Sequence, residues 1–472
     1  MTLLVVSGTT LVLALLGVTL LVGFGADWLA TRFRVPDVLW LIALGILAGP
    51  ILGLLTSSSL LTIAPLLGIA ALILILFDAG IDLKFTLLRP LAGSAVLFAV
   101  GSYFLSTLLL FAVGLVALFP GHWVRALLFA ASLGCVSGAV IIPLANRLRL
   151  PAGLRNMLHL DGAIEDALAV VTVTTLITLV GPVRGDLVFT VTASLVLPLP
   201  VGILIGVAAG LVWLLFLYGW QDRPFTALAT LGFLFAIYAV TEALGGSGIL
   251  AALVFGMILG NEAVVRRLLR RVRPFRISRE LRLVEVEIAF LLRTFFLFLI
   301  GMLVTLSNPG LVPGVAIVAI VLLLFGLRRL LMPAVTHPAT VPATWAAPVA
   351  SLYGRGLTSA VLLIISLGTI PQAANLLLPA LLIIVGTNVL MTVLLFLQPP
   401  LAGAGAPEIE RIWASAAPEL IALSSEEPPA LAPASPPDRP APPGGPAEPD
   451  VDRPAAEPEP PPLPQPQHRR RD

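Results

Sequence analysis

Between residues 3 and 400 the chain runs through about thirteen stretches of roughly twenty apolar residues, each bounded by charge, Pro or Gly. They lie at 3–24, 36–55, 60–78, 91–119, 123–145, 157–182, 187–218, 224–244, 247–263, 286–306, 310–334, 344–368 and 376–400. Stretches of that length cross the hydrocarbon layer as helices, because there every backbone N–H and C=O must find its partner within the segment. The chain is 58% hydrophobic and 11% charged, with a mean hydropathy of +1.03, against roughly 25% charged in soluble domains. The pattern predicts an all-α polytopic membrane protein of about thirteen transmembrane helices. It excludes a soluble enzyme, and no nucleic-acid partner is expected.

Positive charge alternates between the connecting loops. Those closing spans 1, 3, 5, 7, 9 and 11 carry Arg32 and Arg34, Lys84 and Arg89, Arg147, Arg149 and Arg155, Arg223, the run from Arg266 to Arg282, and Arg328 with Arg329. The other loops hold only Arg125 and Arg184. Basic loops stay on the cytoplasmic side, so the N-terminus is expected outside and the C-terminus in the cytoplasm of a cell (plasma or inner) membrane. The first apolar run lacks a basic leader and a small-residue cleavage site, and reads as an uncleaved span. The basic loop 264–282 reads as a linker meeting anionic headgroups.

Residues 1–402 therefore read as a transmembrane domain. Residues 403–472, rich in Pro, Ala and Glu, read as a disordered cytoplasmic tail, since that composition cannot bury a core. The single cysteine, Cys135, rules out an intrachain disulfide or a cysteine metal site. No GxGxxG follows a strand pattern, so no Rossmann-type nucleotide domain is expected, and no cofactor is expected either.

Two spans break the apolar pattern in corresponding places. Span 5 holds Gly134, Cys135, Ser137, Gly138 and Pro143 at mid-membrane; span 12, seven spans on, holds Gly354, Arg355, Gly356, Thr358 and Ser359. Helices interrupted there free backbone groups, which the membrane tolerates only where protein or a watery cavity satisfies them. A matched pair is the pattern of inverted repeats with an ion site at their crossing. Span 6 carries Asp161, Glu165 and Asp166 in the same region. Each such acid costs about 2.5–3.5 kcal/mol to insert, so intramembrane acids normally line an ion or proton path.

Asp161-Gly-Ala-Ile-Glu165-Asp166-Ala resembles the Glu-Ser-x-x-Asn-Asp-Ala signature of the cation:proton antiporter superfamily, in its bacterial NhaP-like and sodium/proton exchanger branch. Five further segments are similar in order: 34–50, 76–89, 247–261, 291–302 and YGRGLTSAVLL at 353–363. The resemblance implies the NhaA-like antiporter fold and a homodimer of thirteen-helix protomers. In each, a core moves past a dimer-forming scaffold. It further implies exchange of a monovalent cation, Na⁺ first with Li⁺ or K⁺ as alternatives, for H⁺ across the lipid bilayer, as in pH homeostasis. Asp166 would bind either the cation or the proton, which makes exchange pH-dependent.

Three positions depart from the family pattern. Glu165 stands where the family has Asn, Asp161 where it has Glu, and Val136-Ser137-Gly138 where many relatives have Thr-Asp-Pro. The first two put three acids on one turn, which need a proton, a cation or a basic partner. The third removes a carboxylate and leaves the Ser137 hydroxyl and freed carbonyls as cation ligands. Arg328 or Arg329 stands where the family has a basic residue paired with a span 6 acid, and Arg355 and Arg293 are further candidate partners; the alternative for each is a structural role, fixing helix packing or capping freed carbonyls. Asp78 and Asp82 read as interfacial structural acids and His159 as an interfacial polar residue. With Glu165 locked to an arginine, exchange is expected to be electroneutral; with Glu165 titrating beside Asp166, a pair that resembles the Asp-Asp pair of the electrogenic branch, transport would move net charge.

Other classes are less favoured. Gly245-Gly246-Ser247-Gly248 matches the Gly-x-Ser-Gly pattern of rhomboid-like intramembrane proteases, but His337, the histidine that follows it within the apolar region, falls in a loop rather than in a span. A potassium-efflux relative would ordinarily carry a cytoplasmic nucleotide domain.

Overall fold

The computed structural model describes residues 8–33, 35–53, 57–83, 92–147, 150, 152–180, 196–220, 225–262, 264–265, 279–304, 308–334, 343–367 and 376–397. The tail 403–472, most of the basic loop 264–282, and Arg34, Lys84, Arg89, Arg149, Arg184, Arg223 and His337 lie outside the described residues.

Each of the thirteen apolar stretches carries helix. In chain order these are α1 (Gly8–Phe33), α2 (Asp37–Ile46), α3 (Ser57–Asp82), α4 (Ala92–Val113), α5 (Trp123–Leu133), α6 (Gly138–Arg147), α7 (Ala152–Val180) and α8 (Pro198–Trp220). Then come α9 (Thr226–Ala243), α10 (Gly248–Gly260), α11 (Arg279–Leu303), α12 (Leu311–Leu331), α13 (Ala343–Ser351), α14 (Leu357–Leu367) and α15 (Leu377–Leu397). Among the described residues eight segments are long and apolar enough to cross a membrane, and α1, α2, α10 and α14 contribute shorter apolar helices. The protein is an all-α, multi-pass integral membrane protein.

Two boundaries differ from the sequence pattern, and two spans change helix type near their ends. α1 runs on through Asp27 and Arg32 to Phe33, since single charges facing an aqueous edge do not unwind a helix. α11 starts at Arg279, whose first turns are amphipathic. α2 and α4 end in π-helical turns, Leu47–Ile51 and Gly114–Leu118. The first of these contains Gly49 and Pro50, and Pro50 removes a backbone donor from the ladder.

Packing sorts the helices into two groups. α1, α2, α3, α8, α9, α10 and α11 form one, and α4 to α7 with α12 to α15 form the other; α3 and α11 meet α7 and α14 across the seam. Contacts repeat with an offset of seven spans. α3 packs on α10 as α11 packs on α2; α4 packs on α5 and α7 as α12 packs on α13 and α15. This is the inverted repeat read directly from packing.

The first group is held by backbone-to-backbone approach. A Cβ on Gly80 would overlap the Leu253 carbonyl, and Cβ atoms on Gly256 and Gly260 would overlap those of Phe77 and Ile81. In the symmetry-related pair, Gly45 and Gly301 stand against the carbonyls of Phe298 and Ile42 in the same way. In lipid, where apolar surface gives no preference for protein over acyl chain, such close packing carries helix association. Gly256→Ala should therefore lower the apparent melting temperature in detergent by several degrees, an overpacking cost of about 1–3 kcal/mol. Gly232→Ala, in open space on α9, should not.

Candidate cation and proton site

The two interrupted spans break where the sequence places them. Residues 134–137 separate α5 from α6, and residues 352–356 separate α13 from α14. The breaks hold each other: Ser137 N–H donates to the Gly354 carbonyl at 3.0 Å. The Arg355 guanidinium, 1% exposed, reaches the carbonyls of Leu133 (3.0 Å), Gly134 (3.3 Å) and Tyr353 (2.8 Å). Those carbonyls lost their helical partners at the breaks, and a buried arginine satisfies several at once. Gly356 stands against the Ser137 side chain with no room for a Cβ.

α7 lies against the first break because Gly162 meets the Gly138 backbone. That contact carries Asp161, Glu165 and Asp166, all at most 2% exposed, to the crossing. Glu165 Oε2 accepts from the freed Val136 N–H at 2.6 Å. Arg328, buried on α12, pairs with Asp161 at 2.5 Å and lies 3.7 Å from Glu165 Oε1. Its guanidinium also touches Ser102 and sits 5.1 Å above the Phe98 ring of α4. Asp166 has a different environment. The Thr358 hydroxyl and the Cys135 thiol lie beside its carboxyl, and no basic side chain pairs with it among the described residues; Oδ1 has no hydrogen-bond partner among them, as also holds for Asp161 Oδ1 and Glu165 Oε1. The same holds for the Ser137 hydroxyl.

Asp166 lines a cavity of about 410 Å³ whose walls come from both helix groups. Gly138, Ala139, His159 and Asp166 form one side; Asp27, Asp78, Asp82 and Arg293 form the other. Asp78, Asp82 and His159, read from the sequence as interfacial, thus face the space leading to Asp166. An acidic wall of this kind raises the local concentration of cations.

Several expected partners stand elsewhere. Arg329 is exposed, one residue round the helix from Arg328, and touches none of the α7 acids. Arg355 serves carbonyls, with no acid at ion-pair distance among the described residues. Arg293 pairs with Asp37 at 2.5 Å and reaches the Ala139 carbonyl at 3.5 Å, bridging the two helix groups instead of meeting an α7 acid. Ser247 caps α10, its hydroxyl accepting from Leu250 N–H at 3.3 Å, which accounts for the Gly-x-Ser-Gly match as a helix start. Two site neighbours went unread in the sequence: Thr387 and Asn388 of α15, which hold the Arg355 backbone. Their signal was an Asn inside the apolar run LLIIVGTNVLMTVLL, seven spans after the acids.

A family model described as sodium/hydrogen exchanger, transmembrane, matches residues 13–402. The chain belongs to that family. It is 29% identical over 239 residues to the K(+)/H(+) antiporter NhaP2 of Shewanella sp. (strain MR-4), a match covering 49% of this chain and 41% of that protein. It is 28% identical over 261 residues to the K(+)/H(+) antiporter NhaP of Alkalimonas amylolytica, covering 53% and 44%. The matched region is less than half the length of either relative. The fold is that of the sodium proton antiporter MjNhaP1 from Methanocaldococcus jannaschii, at a TM-score of 0.67 and 19% identity, covering 82% of this chain and 100% of that one.

Proposed function

We propose that this exchanger-family protein is a secondary antiporter that trades a monovalent cation for H⁺. The observation that carries the reading is Asp166. It is a buried carboxyl with no ion-pair partner among the described residues, placed between two broken helices and open to a cavity shared by both helix groups. A buried carboxylate needs a positive partner. Here a proton or a cation takes that place, and because one excludes the other, exchange needs no further machinery. Asp161 and Glu165 differ: Arg328 and the Val136 N–H hold them. Asp166 is therefore the acid that cycles.

Alternating access follows if the group containing α7 slides against the group containing α3 and α11, closing the cavity on one side and opening one on the other. Transport of this kind makes and breaks no covalent bond in the substrate. Na⁺ and K⁺ are both carried by the proposal. K⁺ is favoured by the names of the curated relatives, and the first break offers the Ser137 hydroxyl in place of a second carboxylate. The proposal extends to a homodimer in the cell membrane, N-terminus outside and C-terminus cytoplasmic. It also covers the division into 1–402 and a cytoplasmic tail, supported by the arginine alternation and the composition.

The test is a proteoliposome carrying a pH-sensitive dye. Adding Na⁺, Li⁺ or K⁺ should dissipate a preset proton gradient with saturable dependence on one or more of them. With Glu165 held by Arg328, the initial rate should not change when a membrane potential is imposed. No cation-dependent proton movement would overturn the antiport reading; a rate set by potential in wild type and abolished in Glu165→Gln would make Glu165 a second proton carrier.

A further inference from the structure

We infer that Asn388, with Thr387, is the positioning element of the second repeat: it fixes the peptide of Arg355 and through it the geometry of the first break beside Asp166. Both residues are fully buried on α15. Asn388 Nδ2 donates to the Arg355 carbonyl at 2.6 Å and to its own helix at Ile384 (2.8 Å). Thr387 Oγ1 accepts from Arg355 N–H at 3.3 Å and donates to the Ile384 carbonyl. One residue in the middle of a broken helix thus has its N–H and its C=O, in two successive peptide units, held by two consecutive residues of one neighbour.

The first repeat makes half of this arrangement, with charged residues. There consecutive Glu165 and Asp166 of α7 face the first break, and Glu165 takes the Val136 N–H. Since α15 corresponds to α7 under the seven-span offset, Thr387 and Asn388 are the neutral counterparts of Glu165 and Asp166. One repeat supplies the titratable pair; the other supplies a fixed one. A neutral amide suits that part because it holds its bonds whatever the proton and cation do across the crossing.

The coupling runs through named bonds. From Arg355 the chain reaches back one residue to Gly354, whose carbonyl takes Ser137 N–H, while its side chain holds Leu133 and Gly134. Asn388 Oδ1 stands where a Gly354 Cβ would lie, which fixes glycine at that position and seats the amide against the break. Releasing the Arg355 peptide therefore loosens residues 133–137 on the other repeat.

This inference rests on the antiport reading for its transport consequence but not for its structural one, and two measurements separate them. In proteoliposomes Asn388→Ala should raise the apparent KM for the cation by about three- to tenfold with Vmax within about twofold, the usual effect of one buried hydrogen bond lost near a site. Thr387→Val, which keeps shape and loses the longer bond, should raise it less. Independently of transport, Cys135, the only cysteine, lies within the first break and is fully buried. Its reaction with a small membrane-permeant maleimide should speed up in the same order. Ser366→Ala, which removes a buried hydroxyl from α14 away from the crossing, should change neither readout. If Asn388→Ala does not fold, Thr387→Val decides. Folded variants with wild-type KM and wild-type Cys135 reactivity, or with lowered melting temperature alone, would overturn the inference. Wild type without exchange, but with faster Cys135 reaction in the variants, would sink the antiport reading and leave the positioning role standing.

Discussion

Asp166→Asn should abolish cation-dependent proton movement while leaving the protein folded and monodisperse. The substitution keeps the shape of the side chain, and Thr358 and Cys135, which lie beside it, keep a polar neighbour of the same size. What disappears is the ability to hold a proton on one half-cycle and a cation on the other. Neighbouring acids cannot substitute: Asp161 lies 2.5 Å from Arg328, and Glu165 is tied to the Val136 amide. Flux should therefore fall to that of protein-free liposomes at every pH, and raising the cation concentration should not recover it. A melting temperature at or above the wild-type value is expected as well, because the exchange of a buried acid for a neutral amide removes a charge that protein alone does not balance. Residual exchange with an altered pH dependence would move the role to Glu165.

The acids were legible in the sequence because an Asp stands out in an apolar stretch whatever the fold, and the breaks because Gly and small polar residues cluster at mid-span in both halves. Which arginine meets which acid was not. Arg328 and Arg329 are adjacent, about 100° apart on a helix. A membrane helix that is apolar all round carries no stripe to say which direction faces protein. Only α4, through Phe98 and Ser102, and α7, through Asp161, settle the direction by surrounding Arg328. The Arg293–Asp37 pair joins residues 256 apart, beyond any local pattern. Arg355 looked like a candidate for an ion pair because a charge in a membrane suggests a countercharge. Its actual partners are the carbonyls freed at the breaks, the structural alternative that the interrupted spans already offered. Asn388 was legible in principle, since the seven-span offset that pairs the breaks also pairs it with Asp166, but a neutral amide attracts less notice than an acid.

Arg328→Ala should be far more damaging than Arg329→Ala. Arg328 is 2% exposed and serves two acids at once, so its removal leaves Asp161 and Glu165 buried without their cation, at a cost of about 3–5 kcal/mol for a broken buried pair. Arg329 is exposed, and its loss should fall within about 0.5 kcal/mol. The difference should appear as a large drop in apparent melting temperature for the first variant and almost none for the second. Removing Asp161 as well should return part of the loss, because the Arg328→Ala, Asp161→Ala double variant has one uncompensated acid instead of two; the non-additivity measures the pair. The transport consequence is separate from stability. Without Arg328, Glu165 keeps only the Val136 amide and becomes free to titrate with Asp166. Any exchange left in Arg328→Ala should therefore respond to membrane potential where wild type does not. Equal, mild effects of the two arginine variants on stability would show that Arg328 is not what holds the two acids; a potential response already present in wild type would show that Arg328 does not lock Glu165.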